Sequence, residues 1–244
     1  MRRAASGARR LAARVIYETG TALGRYEWVA VPVARWRGHG VPVGPRTDVV
    51  IEGYPRSGNT FAVAAVTSAQ PGRLLIAHHL HAPGNVLAGV RRGLPTLVLI
   101  DRPRSAVVEF AAGKPDITVG QALRGWIRFY APLVRVRRRV VVATADEVRS
   151  DMGAVVRRVN DRFGTGLRGF DGTEDAMQRA RDGMEAYVRA RAGPGLPLVG
   201  RSGGAAPPVE AERDRAGRAY DSPRLASLRG RAARLHETFT GTLG

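Results

Sequence analysis

The sequence predicts an α/β protein: a three-layer sandwich with a central parallel sheet, extended by C-terminal helices. Three observations carry this. Short apolar runs at 49–52, 74–78, 96–100 and 140–143 alternate with segments of helical periodicity. The run Leu97-Val98-Leu99-Ile100 is continuously apolar, as expected of a strand covered on both faces. The first run passes through a glycine-bearing turn straight into a helix, the connection that gathers ligands at the carboxyl ends of parallel strands.

Residues 1–46 read as a basic N-terminal helical segment and connector, and 47–244 as the α/β domain, with C-terminal helices from about 173. Leu11, Val15 and Ile16 lie among Arg9, Arg10 and Arg14, the pattern of a short amphipathic helix. It either packs on the domain as a solvated helix or rests on an acidic membrane surface. It lacks the continuous apolar core of a signal peptide. The Gly, Pro and Arg of 37–46 form the connector. Strand 49–52 then leads to helix 60–69, and strand 74–78 to helix 83–92, opened by Pro83 at its first turn. Strand 96–100 is followed by helix 103–112. A longer helix over 118–138 carries Leu123, Trp126, Ile127 and Tyr130 on one stripe and is kinked or split at Pro132. Strand 140–143, helices 152–163 and 174–191, a Gly/Pro loop over 193–208 and a final helix over 223–239 complete the chain.

Composition narrows the function classes. There is no cysteine among the 244 residues, which excludes disulfides, thiolate metal sites and a cysteine nucleophile. The formal charge of +18 is almost entirely arginine, with Lys114 the only lysine. Beside abundant Ala, Gly and Val, this reads as the codon bias of a GC-rich genome. No zinc-finger spacing or aromatic RNA-binding motif accompanies it, so no nucleic-acid partner is expected. The charge suits anionic substrates. No run approaches the ~20 apolar residues of a membrane span, and a cytoplasmic location is expected.

The richest segment is Gly53-Tyr54-Pro55-Arg56-Ser57-Gly58-Asn59-Thr60. A strand, a glycine turn and a helix start together form an anion site, because backbone N–H groups converge at the positive end of the helix. The spacing is that of a Walker A loop, yet Asn59 stands where its phosphate-binding lysine belongs and the cation is upstream, at Arg56. Three of five histidines, His78, His79 and His81, follow the second strand. A neutral imidazole is a suitable base for a hydroxyl. No cysteine or nearby carboxylate completes a zinc set, so no metal is expected.

These residues resemble the sulfotransferase family, and most of all bacterial sulfotransferase-like proteins. Tyr54-Pro55-Arg56-Ser57-Gly58-Asn59-Thr60 is similar to the family's phosphosulfate loop, Tyr-Pro-(Lys/Arg)-Ser-Gly-x-Thr. The segment Ala77-His78-His79-Leu80-His81-Ala82-Pro83 resembles the one carrying the family's catalytic histidine, often Thr-His-Leu-Pro. The strand 97–100 with Pro103 resembles the strand leading to the 3′-phosphate motif. The similarity spans about 48–166. It implies a P-loop NTPase-like fold, PAPS (3′-phosphoadenosine 5′-phosphosulfate) as sulfuryl donor without a metal, and a hydroxyl or amine acceptor. It further implies that the N–H groups of Ser57, Gly58, Asn59, Thr60 and Phe61 hold the 5′-phosphate, and that Arg56 meets the charge developing on the bridging oxygen. The hydroxyls of Ser57 and Thr60 would add hydrogen bonds. Matching His-x-Pro selects His81 as base; matching His-Leu selects His79.

Two departures qualify the resemblance. Where the family holds the 3′-phosphate with an arginine and a serine, this chain has Asp101 and Glu109. A carboxylate against a phosphate costs ~4 kcal/mol per close contact at an intermediate dielectric. Arg102, Arg104 and Ser105 stand nearby as substitutes. The family's Arg-Lys-Gly closing segment is matched only by Arg201-Ser202-Gly203. Two rivals therefore stand beside the sulfotransferase: a P-loop small-molecule kinase, and a degenerate homologue that binds an anionic ligand without turnover. The acceptor is not named by any residue; Trp126, Phe129 and Tyr130 either line a pocket or belong to the core.

Overall fold

Four strands, β1 (Val49–Gly53), β2 (Ile76–His78), β3 (Thr96–Ile100) and β4 (Val141–Thr144), pair in the order β2-β1-β3-β4, every pair parallel. The computed structural model describes residues 2–37, 40–192 and 209–241. Around the sheet lie α1 (Arg2–Leu23), α2 (Glu27–Arg37), α3 (Asn59–Ala69), α4 (Pro83–Arg91), α5 (Pro103–Ala112), α6 (Val119–Tyr130), α7 (Ala145–Ser150), α8 (Met152–Phe163), α9 (Glu174–Ala192), α10 (Glu210–Asp221) and α11 (Ala226–Thr240).

Side chains alternate between the two faces of each strand and build apolar clusters on both, with Val50 and Ala77 joining Val43 and Ala88 in a small third one. Val49, Ile51, Leu97, Leu99, Val141 and Ala143 pack with α3, α8 and α9. Val98, Ile100 and Val142 pack with α4, α5, α6, α10 and α11. Helices thus cover both faces, an arrangement consistent with a three-layer sandwich. The split follows from handedness. The chain steps from β1 outward to β2, then reverses past β1 to β3 and onward to β4. With right-handed crossovers, that reversal sends α3 to one face and α4, α5 and α6 to the other.

The helix expected over 118–138 is two elements. α6 begins at a capping box, in which Thr118 Oγ1 accepts from Gln121 N at 3.3 Å while Thr118 N donates to Gln121 Oε1 at 3.1 Å. It ends at Tyr130, and a 3₁₀ segment, Ala131–Arg139, takes over. Pro132 has no N–H for the next helical bond, and its ring is tolerated only in the first turn of the new segment. Three helices lay outside the sequence expectation: α2, which holds Pro32 internally, the six-residue α7, and α10. The expected loop over 193–208 lies outside the described residues.

The N-terminal helices sit on the domain through polar contacts. Glu18 of α1 accepts from Arg124 (2.6 Å) and Arg128 of α6, Arg14 Nε donates to Asp116 O (3.1 Å), and Tyr17 stacks on Phe110. Glu27 of α2 pairs with Arg91 and Arg92. Among the described residues, no helix is long and apolar enough to cross a membrane.

Tyr130 joins the sheet to the loop that follows β1. Its buried hydroxyl donates to Leu99 O (2.7 Å), accepts from Tyr54 N (3.3 Å) and lies 3.4 Å from Ser57 Oγ. Replacing Tyr130 by Phe strands an N–H and a carbonyl in the core, so Tyr130→Phe is expected to cost about 1–3 kcal/mol in urea unfolding. An unchanged midpoint would show that the hydroxyl does not anchor the loop.

Candidate functional site

The reversal of strand order at β1 leaves a crevice between the carboxyl ends of β1 and β3, where the loops leave in opposite directions. The loop after β1 is drawn into it by close backbone approach. A Cβ on Gly53 would lie 2.5 Å from Leu99 O, so only glycine fits. Ser57 N donates to Tyr54 O (3.2 Å), closing a turn, and Gly58 adopts φ 87° to start α3. No side chain caps α3 at Gly58, so the first N–H groups of this helix present its positive end.

The loop residues divide into those that hold it and those that face outward. Ser57 is buried with its hydroxyl turned toward Tyr130. Asn59 is buried, and its Nδ2 donates to Tyr54 O (3.1 Å), bracing the turn. Thr60 Oγ1 lies 3.1 Å from His79 Nε2, joining α3 to the loop after β2, and Phe61 packs edge-on against Phe170. Arg56 is exposed at φ 73°, a left-handed conformation that costs a side-chain-bearing residue about 1–2 kcal/mol. Its guanidinium lies against Gly113, where a Cβ would come within 3.0 Å of Nη2. Beside Gly113 is Lys114, half-buried, its pKa lowered by burial and then by the Arg56 charge. Neither cation has a carboxylate partner among the described residues.

The histidines are set by a buried acid. Glu52 points from β1 onto the α4 side of the sheet and is wholly buried. It accepts from Leu80 N (2.8 Å), His81 N (3.2 Å) and Asn85 Nδ2 (3.0 Å), and Asn85 Oδ1 in turn accepts from Val43 N (2.9 Å). Burial pushes the Glu52 carboxyl up to about 7, against the lowering effect of these donors. The bonds hold the turn in which His79 (φ 59°) and His81 (φ 50°) are also left-handed. Three such residues at the mouth of one crevice mark a backbone held in shape by its surroundings. His79 Nδ1 lies 2.6 Å from His78 Nδ1, and with Thr60 on Nε2 both its nitrogens serve the loop. His81 Nδ1 lies 2.8 Å from Gly53 O. A carbonyl only accepts, so Nδ1 carries the proton and Nε2 is the basic nitrogen of the neutral ring. His81 also lines a pocket of about 60 Å³ with Tyr54, Pro55 and Phe129, walled by Tyr17 and Thr21 of α1.

The residues considered for a 3′-phosphate are engaged elsewhere. Asp101 accepts from Arg102 N (2.7 Å) and Ser105 Oγ (2.8 Å), closing the start of α5. Glu109 pairs with Arg213 of α10 at 2.7 Å. Arg102 is exposed, 3.6 Å from Asp146, and Arg104 binds Asp221 at 2.8 Å. Ser105, Glu109 and Arg104 line a separate open cleft of about 400 Å³ between α5 and α10. Asp101 and Glu109 therefore do not present bare carboxylates: each is occupied by donors of the fold. Arg201 lies outside the described residues. Glu52 and Lys114 were not read as site residues from the sequence, although a single acid inside an apolar strand and a sole lysine were signals available for them. Of the aromatic residues weighed for a pocket or the core, Trp126, Phe129 and Tyr130 are all buried, Phe129 also lining the pocket beside His81, and the bonds of Tyr130 to the loop are long-range.

No family model, curated protein or solved structure compared with the chain matches it.

Two outcomes follow from this geometry. Arg56→Ala and Arg56→Gly both remove the cation, but glycine accepts φ 73° without strain. Arg56→Gly is expected to melt about 2–4 °C above Arg56→Ala. Equal melting temperatures would mean the loop relaxes out of the left-handed region. The second outcome concerns Glu52. With its folded pKa raised, the native protein between about pH 4.5 and 7 holds a proton that the unfolded chain has released. Stability contributed by Glu52 is therefore full below this window and falls as pH rises through it. Relative to Glu52→Gln, the unsubstituted protein is expected to lose on the order of 2 kcal/mol between pH 5 and 7 in urea titrations. Parallel pH profiles would remove Glu52 as the cause.

Proposed function

We propose that the chain is a sulfotransferase-like protein on a P-loop α/β fold, transferring a sulfuryl group from PAPS to a hydroxyl or amine. One observation carries the reading. An outward cation, an uncapped helix N-terminus and an oriented imidazole meet at the strand reversal, while the position of a Walker lysine is taken by Asn59, which is buried as a brace. A donor with no γ-phosphate needs no lysine there.

Each residue then has a task. The N–H groups opening α3 bind the 5′-phosphate. His81 Nε2 takes the proton of the acceptor hydroxyl, with Gly53 O fixing its tautomer. The acceptor oxygen forms its bond to sulfur as the bond from sulfur to the bridging oxygen breaks. The electron pair leaves with adenosine 3′,5′-bisphosphate, and Arg56, with Lys114 beside it, meets that charge. His79 serves as a positioning residue between Thr60 and His78. The pocket of about 60 Å³ beside His81 admits the reacting end of an acceptor, with Tyr17 and Thr21 as its far wall.

A specific observation favours a second reading, a non-catalytic homologue that binds an anion. Asp101, Ser105 and Glu109 are spent on hydrogen bonds and ion pairs within α5 and to α10, leaving the 3′-phosphate without the family's donors.

Thermal melting with ligands tests both. Adenosine 3′,5′-bisphosphate is expected to raise the melting temperature more than ATP with magnesium, since a ligand selective for the folded state stabilises it. A larger shift with ATP and magnesium would favour a small-molecule kinase. With PAPS and a panel of hydroxyl and amine acceptors, Arg56→Ala is expected to lower transfer on the order of 10²-fold. His81→Ala should lower turnover with bisphosphate affinity unchanged. Bisphosphate binding without turnover on any acceptor selects the non-catalytic homologue; no binding removes both readings.

A further inference from the structure

α1 is turned the wrong way round for a surface helix. Amphipathic helices bury their apolar stripe and expose the polar one. Here the residues that meet the domain are Arg14, Tyr17, Glu18 and Thr21, bound to Asp116, Tyr54, Arg124 and Arg128. Leu11 (63 % exposed), Val15, Ile16 and Leu23 face away from it. α2 repeats the pattern on its outer side. Ala30 and Ala34 are buried, while Trp28 (75 % exposed) and Trp36 (84 %) stand outward with Pro32 between them, spaced four residues apart on one line. Val33 is exposed next to them, and the guanidinium of Arg25 lies 4.7 Å over the Tyr26 ring. Two of the chain's three tryptophans are thus exposed within nine residues.

Charge decides what covers this face. Residues 1–37 contain eight arginines and two acids, Glu18 and Glu27. Both acids are turned inward, onto Arg124 and Arg128 and onto Arg91 and Arg92. The outward side therefore carries exposed Arg9, Arg25 and Arg35 among its apolar residues and no carboxylate. A second copy of the chain would bring like charges together. We infer that α1 and α2 form an interfacial docking surface for anionic lipid, with Trp28 and Trp36 at headgroup depth, the leucine, valine and isoleucine side chains in the acyl boundary and the arginines on lipid phosphates. The inference does not rest on the sulfuryl-transfer reading.

Vesicle flotation of the full chain tests it. The protein is expected to float with phosphatidylcholine vesicles containing about one third phosphatidylglycerol, and not with phosphatidylcholine alone. Added salt should weaken the association, because exposed charges are screened. Trp126 is fully buried, so a blue shift of tryptophan emission on adding vesicles, and quenching by brominated lipid, reports Trp28 and Trp36. The double variant W28S/W36S and the triple variant R9Q/R25Q/R35Q, all at outward positions, should each bind about tenfold more weakly with unchanged melting temperature. Failure to float with anionic vesicles, equal binding to neutral ones, or absent quenching in the unsubstituted chain would overturn the inference. So would a sedimenting dimer that W28S/W36S dissolves, which would make a second copy the occupant.

Discussion

The buried carboxylate of Glu52 holds the geometry on which the rest of the site depends. It stands on the last full residue of β1 before the Gly53 turn, in a position that aliphatic side chains occupy elsewhere in the sheet. An unpaired buried carboxylate would be prohibitive; three N–H donors make it tolerable. Those donors belong to Leu80, His81 and Asn85, so the acid stitches the loop after β2 to the end of β1. Asn85 extends the stitch to Val43 in the segment before β1. The left-handed backbone of His79 and His81 persists because these bonds over-determine it.

A second set of constraints on the loop comes from α6 and from the start of α3. Tyr130 reaches from α6 to the carbonyl of Leu99 and the N–H of Tyr54, and Asn59 binds the Tyr54 carbonyl. The turn is therefore fastened at both ends, and Arg56 is the loop residue left projecting. Its left-handed conformation and its proximity to Lys114 have no carboxylate beside them among the described residues. The two cations therefore concentrate positive charge at this end of the sheet.

Polarity elsewhere follows the same economy. Four carboxylates of this strongly basic chain serve internal fastening: Glu18 and Glu27 hold the N-terminal helices, Asp101 closes the start of α5, and Glu109 ties α5 to α10. Arginine is left in excess on the surface, and the outward sides of α1 and α2 combine that excess with exposed tryptophan. The positive charge that composition alone assigned to codon bias thus has a spatial distribution on α1 and α2, because Glu18 and Glu27 are turned onto arginines of the domain.

The alternation of strands and helices was legible in the chain, and β3, α5 and α8 begin and end where periodicity and proline put them, because those signals are local. The turn at 53–60 and its missing lysine were equally local, as was the histidine cluster. α2, α7 and α10 were not legible. One contains a proline, one is shorter than two turns, and the third is too polar to show a stripe until Ala216 and Tyr220 meet α5 and α6. The sequence by itself determined the class of fold, the strand-turn-helix and the residue types around it. Only the tertiary structure decided that Ser57 and Asn59 turn inward, that Asp101 serves a helix start, that Lys114 comes to Arg56 from far along the chain, and that α1 shows solvent its apolar side. Periodicity along a chain reports which face of an element differs from the other; which face is buried depends on partners distant in sequence.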